Sequence, residues 1–291
     1  MESKTIDLGV PVHYLEAPGE GPLTVVLVHG LGGSSTNWHP VLEPLARFGR
    51  VLAPDLGGFG LTPLPSEGSG VDANLSLLGR FLGRLSPGPV VLVGNSMGGA
   101  LSVLCSALPE SRVKALVLVD PACPLPPGTR VDPKVLLRMG VANLPAVGPW
   151  LVRRHAEKVG PEGLVDDLMK LCFADRSRMT PAVREPHLAM ARRRQGQPWN
   201  AEAYVGASRS LFALLGGRRR YHEAVAAVRA PTLVVHGTDD RLIPLGSARA
   251  LASRRPDWTL AELEGVGHTP QLEVPERFLA TVAPWLQGAL G

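Results

Sequence analysis

The sequence predicts an α/β protein: a mostly parallel, twisted sheet of eight strands with helices on both faces, interrupted by one helical insertion. Two observations lead to this fold class. Short apolar runs alternate with helical segments up to about residue 120 and again from about residue 231, which is the pattern of a parallel sheet covered on both sides. Between these parts, from about residue 121 to 220, no run has the character of a strand.

Each predicted element has its own pattern. Residues 23–28 are apolar without alternation, which indicates a strand buried on both faces. Two short extended runs around Gly9-Val10-Pro11 predict a hairpin at one edge of the sheet. The predicted strands are 5–8, 12–15, 23–28, 50–55, 90–93, 113–119, 231–236 and 259–263. The predicted helices outside the insertion are 37–47, 72–85, one that begins after Ser96, and 275–286.

The stretch without strands predicts an inserted cap. We expect a core domain of residues 1–122 and 221–291 and a helical cap of residues 123–220, with helical patches at 164–173 and 183–194. Ligands of such sheets bind at the carboxyl ends of the strands. A helical segment inserted there would cover the pocket, and its apolar side chains would either line a cavity or form a small core of their own.

Composition limits the classes of protein to which the chain can belong. With 291 residues and 45% apolar residues, the chain can bury a sizeable core. Three cysteines without regular spacing give neither a disulfide framework nor a metal cluster, which favours a reducing compartment. The N-terminus lacks a signal-peptide pattern, and the apolar runs are too short for a transmembrane helix. We therefore expect a cytoplasmic protein.

Positive charge is concentrated in the predicted cap. The chain has a net charge of +4, and residues 138–220 contain fifteen Lys or Arg against seven Asp or Glu. Clusters of three arginines at 192–194 and 218–220 leave open an anionic substrate or a lipid surface, although a solvated helix face is the simpler interpretation. Aromatic residues are not interleaved with these arginines and no nucleic-acid motif is present, so we expect no nucleic-acid partner.

The strand at 90–93 runs into Gly-Asn-Ser-Met-Gly, with Ser96 at the centre. Glycines two before and two after a serine let the strand and the next helix approach closely, and a strained turn at this place holds the hydroxyl above the sheet edge. Ser96 is therefore a candidate nucleophile. A serine flanked by glycines can also be an ordinary helix N-cap, so the assignment depends on partners elsewhere in the chain.

The last two predicted strands end in those partners. A serine hydroxyl is a poor nucleophile at neutral pH, so it needs a base within hydrogen-bonding reach and a carboxylate that orients this base. Asp240 follows the strand at 231–236, and His268 follows the strand at 259–263. We predict that Ser96, Asp240 and His268 are a catalytic triad that needs no metal or organic cofactor.

A glycine-rich loop, His-Gly-Leu-Gly-Gly at residues 29–33, follows the third predicted strand. Such a loop can aim backbone N–H groups at a developing negative charge, and we assign those of Leu31 and Met97 to an oxyanion hole. A phosphate-binding loop is the alternative, but neither Gly-x-Gly-x-x-Gly nor Gly-Lys-Ser/Thr is present. We expect His29 and His236 to be structural.

Together these motifs resemble those of a capped member of the α/β-hydrolase superfamily, over about residues 12–286. The matching motifs are His29-Gly30-Leu31-Gly32, Asp55 with Gly58-Phe59-Gly60, Gly94-Asn95-Ser96-Met97-Gly98-Gly99, Gly237-Thr238-Asp239-Asp240 with Pro244, and Gly267-His268. The resemblance implies the α/β-hydrolase fold and hydrolysis through an acyl-enzyme. In this superfamily the triad acid usually lies three residues after the glycine, which selects Asp240 over Asp239.

Two features narrow the choice of subfamily: the Gly94-Asn95-Ser96-Met97-Gly98 turn, called the nucleophile elbow, and the cap. Epoxide hydrolases and haloalkane dehalogenases carry an aspartate where this chain has Ser96, which excludes them. The elbow and the cap residues 173–175 and 179–180 are similar to those of the meta-cleavage C–C bond hydrolases, which split vinylogous dienoates. Those enzymes typically have a cap arginine in place of His187 and a tryptophan in place of Thr269.

We therefore expect a hydrolase of carboxylic esters with small to medium hydrophobic acyl groups. A C–C bond hydrolase is the alternative, in which Arg184 or an arginine at 192–194 would have to bind the substrate carboxylate. An alternative of another class is a receptor-like protein that binds a ligand with little turnover. The residues assigned to substrate binding are Gly30, Asn95, Trp150, Phe173 and His187.

Overall fold

A computed structural model describes the chain except for residues 134, 136, 138–139, 141–142 and 145–146, so part of the predicted cap lies outside the described residues. In the described part, eight strands form one sheet. They are β1 Glu2–Asp7, β2 Pro11–Ala17, β3 Thr24–Val28, β4 Arg50–Pro54, β5 Val90–Asn95, β6 Val113–Val119, β7 Thr232–Gly237 and β8 Thr259–Leu263.

The order of strands in the sheet is β1-β2-β4-β3-β5-β6-β7-β8. β2 pairs antiparallel with both β1 and β4, and every other neighbouring pair is parallel. The mostly parallel eight-stranded sheet with an N-terminal hairpin at its edge is thus confirmed. In this order β5, β6, β7 and β8 are neighbours, so the loops that follow them meet at one edge.

Helices cover both faces of the sheet. They are α1 His39–Leu45, α2 Val71–Leu85, α3 Met97–Ser106, α4 Gly148–Cys172, α5 Pro181–Arg194, α6 Asn200–Gly217, α7 Arg219–Ala227, α8 Leu245–Arg254, α9 Pro270–Glu273 and α10 Pro275–Leu290. Val26 and Val28 of β3 pack with α2 and α3 in one apolar cluster, whereas Val25 and Leu27 pack with α1 and α10 in another. The strand is therefore buried on both faces, as its unbroken apolar run predicts.

Two predictions for the core helices differ from the structure. The helix predicted at 37–47 is wrong as a single helix: a 3-10 turn at Ser35–Trp38 precedes α1, and another at Ala46–Phe48 follows it. Pro44 lies inside α1 and has no N–H for the helix ladder, which favours the tighter turns. Helix α8 was not predicted, because its buried face has only Leu251 beside small residues.

The described residues between β6 and β7 form helices α4 to α7 and contain no strand, and the helical patches predicted at 164–173 and 183–194 lie almost wholly in α4 and α5. A third apolar cluster joins these two helices to Leu272 of α9. The insertion therefore packs on the core beside the loop that carries His268. The division into domains at 123–220 stays a prediction. No described helix is both long enough and apolar enough to cross a bilayer.

Candidate active site

Ser96 occupies a strained turn between β5 and α3. Its backbone has φ 55° and ψ −119°, and its side chain makes no capping bond to α3, so it is not an ordinary N-cap. Only glycine fits at positions 94 and 98, because other backbone atoms lie very close to both residues. A Cβ on Gly98 would lie 2.1 Å from the Val28 carbonyl oxygen, and one on Gly94 would lie 2.4 Å from the Gly98 carbonyl oxygen. The turn presents Ser96 at the wall of a cavity.

His268 and Asp240 are joined by a short hydrogen bond. The Nδ1 atom of His268 lies 2.6 Å from Oδ2 of Asp240, and both side chains are buried. The other oxygen, Oδ1, accepts from the backbone N–H groups of Leu242 and Ile243 at 2.7 and 3.0 Å. Burial acts to raise the pKa of Asp240, but the charge and hydrogen bond of His268, together with His236 and the Ile243 N–H, hold the pKa below its usual value. Asp239, by contrast, is exposed.

The loop of His268 is held from two sides. Its backbone N–H donates to the Cys172 carbonyl at the end of α4 at 2.7 Å. Its carbonyl accepts from the side-chain amide of Asn95 at 3.1 Å, and the same amide donates to the Val119 carbonyl at 3.0 Å. Asn95, next to Ser96, thus fixes the position of His268 relative to the elbow.

The loop at residues 29–33 lies against the elbow. A Cβ on Gly30 would be 2.9 Å from the Cβ of Ser96, so the approach requires glycine. His29 donates from Nδ1 to the Gly30 carbonyl at 2.8 Å, and its Nε2 accepts from the Leu56 N–H at 3.0 Å. Burial lowers the pKa of His29, which favours the neutral ring that these two bonds need. His29 therefore shapes the loop from behind.

Ser96 and His268 line one cavity of about 430 Å³ between the sheet edge and the helices of the insertion. Leu31 lines the same cavity, and Met97 is the first residue of α3, where backbone N–H groups have no acceptor within the helix. Burial raises the pKa of the nearby Cys123 to about 12, so its thiol is not a competing nucleophile. The apolar lining residues include Ala122, Leu125, Leu168, Leu171, Leu211, Phe212, Leu215, Leu242 and Ile243.

The assigned substrate-binding residues divide into two groups. Gly30 and Asn95 line the cavity. The assignments in the cap are corrected by the structure: Trp150 is 56% exposed under the guanidinium of Arg154, and Phe173 is buried in the cluster between α4, α5 and α9. His187 is also buried away from the cavity lining and donates from Nδ1 to the Val183 carbonyl at 2.8 Å.

Two of the arginines named as carboxylate ligands are engaged elsewhere. Arg184 lies 3.5 Å from Asp166, and Arg192 lies 2.7 Å from Glu162. Sequence reasoning noted Arg218 only as part of the arginine cluster at 218–220 and did not assign it to the cavity, where it is the one Lys, Arg, Asp or Glu among the described lining residues. It lies between α6 and α7 with φ 52°, and its Nη2 donates to the Leu125 carbonyl at 2.9 Å. The signal in the sequence was Gly216-Gly217, which marks the break between these helices.

One group of His and acidic side chains in the described part is close enough to share a cation: Asp120, His236 and Asp240. The Nε2 atom of His236 donates to the Ile243 carbonyl at 2.9 Å, so this nitrogen has no lone pair for a metal. Asp240 is already engaged with His268. We therefore assign no metal or cofactor to this group.

A family model for the alpha/beta hydrolase fold matches residues 24–275. The chain belongs to the α/β-hydrolase family. Two curated relatives of this α/β hydrolase are a 2-hydroxy-6-oxo-6-(2'-aminophenyl)hexa-2,4-dienoic acid hydrolase of Metapseudomonas resinovorans and a 2-hydroxy-6-oxo-2,4-heptadienoate hydrolase of Pseudomonas putida. The first is 34% identical over 93% of this chain and 85% of the relative, and the second is 33% identical over 90% and 88%.

A thermophilic esterase of Thermogutta terrifontis has a similar solved structure, with a TM-score of 0.72 and 25% identity over 99% of both chains. Both curated relatives named above are hydrolases, so the chain is an enzyme.

Proposed function

We propose that this α/β hydrolase is a serine hydrolase that cleaves the C–C bond of a small dienoate, an apolar molecule with one carboxylate. The observation that carries the proposal is the cavity, which is lined by Ser96, His268, a largely apolar set of residues and a single arginine, Arg218. The two dienoate hydrolases of 34% and 33% identity support this activity over the ester hydrolysis that the sequence favoured.

The proposed reaction proceeds through an acyl-enzyme. His268 accepts the proton of Ser96 as Oγ attacks the substrate carbonyl, and Asp240 holds the Nδ1–H tautomer and stabilises the imidazolium. The backbone N–H groups of Leu31 and Met97 stabilise the oxyanion, where one donor contributes on the order of 3–4 kcal/mol to lowering the barrier. Water then attacks the acyl-enzyme with His268 again as base, and the acid product leaves with Ser96 restored.

The leaving group distinguishes the two activities. In an ester it is an alkoxide, whereas in a dienoate that has first tautomerised from the dienol to the keto form it is a carbanion delocalised into the conjugated keto acid. Both take one proton from His268 after the bond breaks, so the same triad serves both reactions. What differs is the recognition of the carboxylate at the far end of the dienoate, for which a guanidinium is the best side chain.

Arg218 is the candidate for that recognition. One of its five N–H donors is used by the Leu125 carbonyl. Its neighbour Arg219 has a side chain that is 87% exposed and pairs with Glu223 at 2.8 Å. The two arginines are adjacent and of equal charge, yet only Arg218 lines the cavity. Replacing each in turn separates local recognition from the general positive charge of the insertion.

The test compares dienoates with p-nitrophenyl esters from acetate to long acyl chains, using wild type, Ser96→Ala, Arg218→Gln and Arg219→Gln. We expect turnover of dienoates that is lost in Ser96→Ala. In Arg218→Gln the KM for dienoates should rise about tenfold or more, with the KM for neutral esters unchanged, and Arg219→Gln should behave as wild type. Turnover confined to esters and insensitive to Arg218 would contradict C–C bond hydrolysis.

Ester hydrolysis is the second candidate. The esterase of similar structure and the apolar cavity favour it, and it requires no carboxylate ligand. Under this alternative, activity peaks at one acyl length, because a cavity of about 430 Å³ accepts chains of limited size. If Ser96→Ala turned over its substrate as fast as the wild type, both proposed activities of Ser96 would be refuted.

A further inference from the structure

Asp120 is a fully buried carboxyl group that the proposed mechanism leaves unused. It follows β6, and its backbone N–H donates to the Val235 carbonyl at 2.9 Å. One side-chain oxygen, Oδ1, accepts from the Gly237 N–H at 2.9 Å, whereas Oδ2 has no partner among the described residues. The backbone has φ 43°, a strained conformation for a residue with a side chain. Strain and an unmet hydrogen bond at one buried residue indicate a function.

The carboxyl group of Asp120 lies near that of Asp240. One oxygen of each acid and one ring nitrogen of His236 lie within 4.8 Å of one another. The Nε2 atom of His236 is 3.7 Å from Asp120 and 3.6 Å from Asp240. Two carboxyl groups this close in a dry site do not both ionise, because the second negative charge is neither solvated nor compensated.

The hydrogen bonds show which acid keeps the proton. Asp240 accepts from His268 and from two backbone N–H groups, which together stabilise a carboxylate. Asp120 accepts from one backbone N–H alone. Burial, followed by the charge of Asp240, raises the pKa of Asp120 well above its ordinary value. The proton therefore stays on Asp120.

Other charged and titratable groups near the pair do not change this assignment. Burial lowers the pKa of His236, so its ring is neutral, and its Nε2–H donates a hydrogen bond to the Ile243 carbonyl. Glu273 of α9 is ion-paired with Arg178 at 3.0 Å. The groups that face Asp120 or Asp240 from the surrounding elements are His236, His268, Glu273 and Cys123.

We propose that Asp120 is a positioning residue: it remains protonated at neutral pH, and its Oδ2–H donates a hydrogen bond to the Asp240 carboxylate. This bond keeps Asp240 turned toward Nδ1 of His268 while leaving the full negative charge on Asp240. Asp120 touches no substrate and acts through Asp240. The role in turnover rests on the proposed triad, whereas the protonation of Asp120 is a property of the resting protein.

Two substitutions at this position test the role in turnover. Asp120→Leu keeps a side chain branched at Cγ but has no donor, and we expect kcat to fall about ten- to a hundredfold with KM nearly unchanged, as for the loss of a hydrogen bond to a charged group. Asp120→Asn keeps a donor toward Asp240 and an acceptor for Gly237, and it should recover most of that loss with the pH profile in its wild-type position. A shift of the acid limb to lower pH in Asp120→Asn would show that Asp120 had been ionised, which overturns the proposal.

A measurement independent of turnover separates this proposal from the proposed function. Infrared difference spectra of wild type against Asp120→Asn at pH 8 should contain the carbonyl band of a neutral carboxylic acid, and wild type against Asp239→Asn should not. Absence of the band overturns the proposal even if the enzyme is active. Presence of the band in a protein without hydrolytic turnover supports protonated Asp120 while refuting the triad. If Asp120→Leu does not fold, the asparagine variant and the spectra still decide.

Discussion

The replacement of Asp240 by asparagine tests the triad at the point where the structure is most specific. Oδ1 of Asp240 accepts from two backbone N–H groups, so the amide oxygen of Asp240→Asn must occupy that position. The amide NH2 then faces Nδ1 of His268, which the carboxylate contacts at 2.6 Å in the wild type. Because an NH2 group only donates, Nδ1 must become the acceptor and the ring proton moves to Nε2. A protonated Nε2 cannot accept the proton of Ser96.

The size of the effect follows from this enforced tautomer. The same change of acid to amide in a serine triad lowers kcat on the order of 10⁴-fold, or about 5 kcal/mol of barrier. Packing should change little, because Asp240 is buried and asparagine has the same shape. We therefore expect Asp240→Asn to fold normally and to lose nearly all turnover with a small change in KM.

Asp239→Asn is the matched control, because it removes the same charge one residue away from an exposed position. The assay is kcat and KM on the best substrate of the panel, with thermal unfolding of each variant. Turnover of Asp240→Asn within tenfold of wild type would refute the tautomer argument. An equal loss in Asp239→Asn would refute the assignment of the acid.

Three further predictions concern Gly30 in the loop at residues 29–33, His187 in the insertion, and Glu273, which connects the insertion to the loop of His268. Gly30→Ala should lower kcat about 10²- to 10³-fold, as for a lost oxyanion donor, because its Cβ would lie 2.9 Å from that of Ser96; Gly79→Ala, where the space is open, is the control. Burial lowers the pKa of His187 to about 4, below the unfolded value of about 6.5. Between these pH values the unfolded chain binds a proton that the folded chain does not, so the wild type should lose roughly 3 kcal/mol of unfolding free energy from pH 6.5 to pH 4, and His187→Gln should not. An equal change in unfolding free energy for the two proteins, measured with urea at both pH values, would contradict this. Glu273→Ala removes the acceptor of three backbone N–H groups, of which that of Gly267 is in a buried hydrogen bond. It should cost at least the ~1–3 kcal/mol of one unsatisfied buried group, measured by denaturant unfolding, and a loss below 1 kcal/mol would show that water replaces the carboxylate.

The sheet and the arrangement of Ser96, Asp240 and His268 were accessible from the sequence for one physical reason. Parallel strands align their carboxyl ends at the same edge, so residues that follow β5, β7 and β8 meet although they are far apart in the chain. The choice between Asp239 and Asp240 came from a family resemblance, and the structure places Asp240 against the base.

The insertion was less predictable, because helices have no equivalent of strand register. Apolar spacing identifies a buried face but does not tell whether that face meets the cavity or another helix. Phe173 and His187 are both buried, yet Phe173 packs between α4, α5 and α9, and His187 bonds to the Val183 carbonyl within α5. Arg218 reaches the cavity because the chain turns between α6 and α7, which no periodicity indicates.

Hydrogen bonds connect the insertion directly to the loop that carries His268. The Cys172 carbonyl, at the end of α4, accepts from the N–H of His268 itself. Glu273, the last residue of α9, accepts hydrogen bonds from the N–H groups of Ala174 and Asp175 as well as from that of Gly267. A displacement of α4 therefore moves both a wall of the cavity and the backbone of His268. Substitutions in this part of the insertion should change kcat together with KM, whereas substitutions at Arg218, between α6 and α7, should change KM alone.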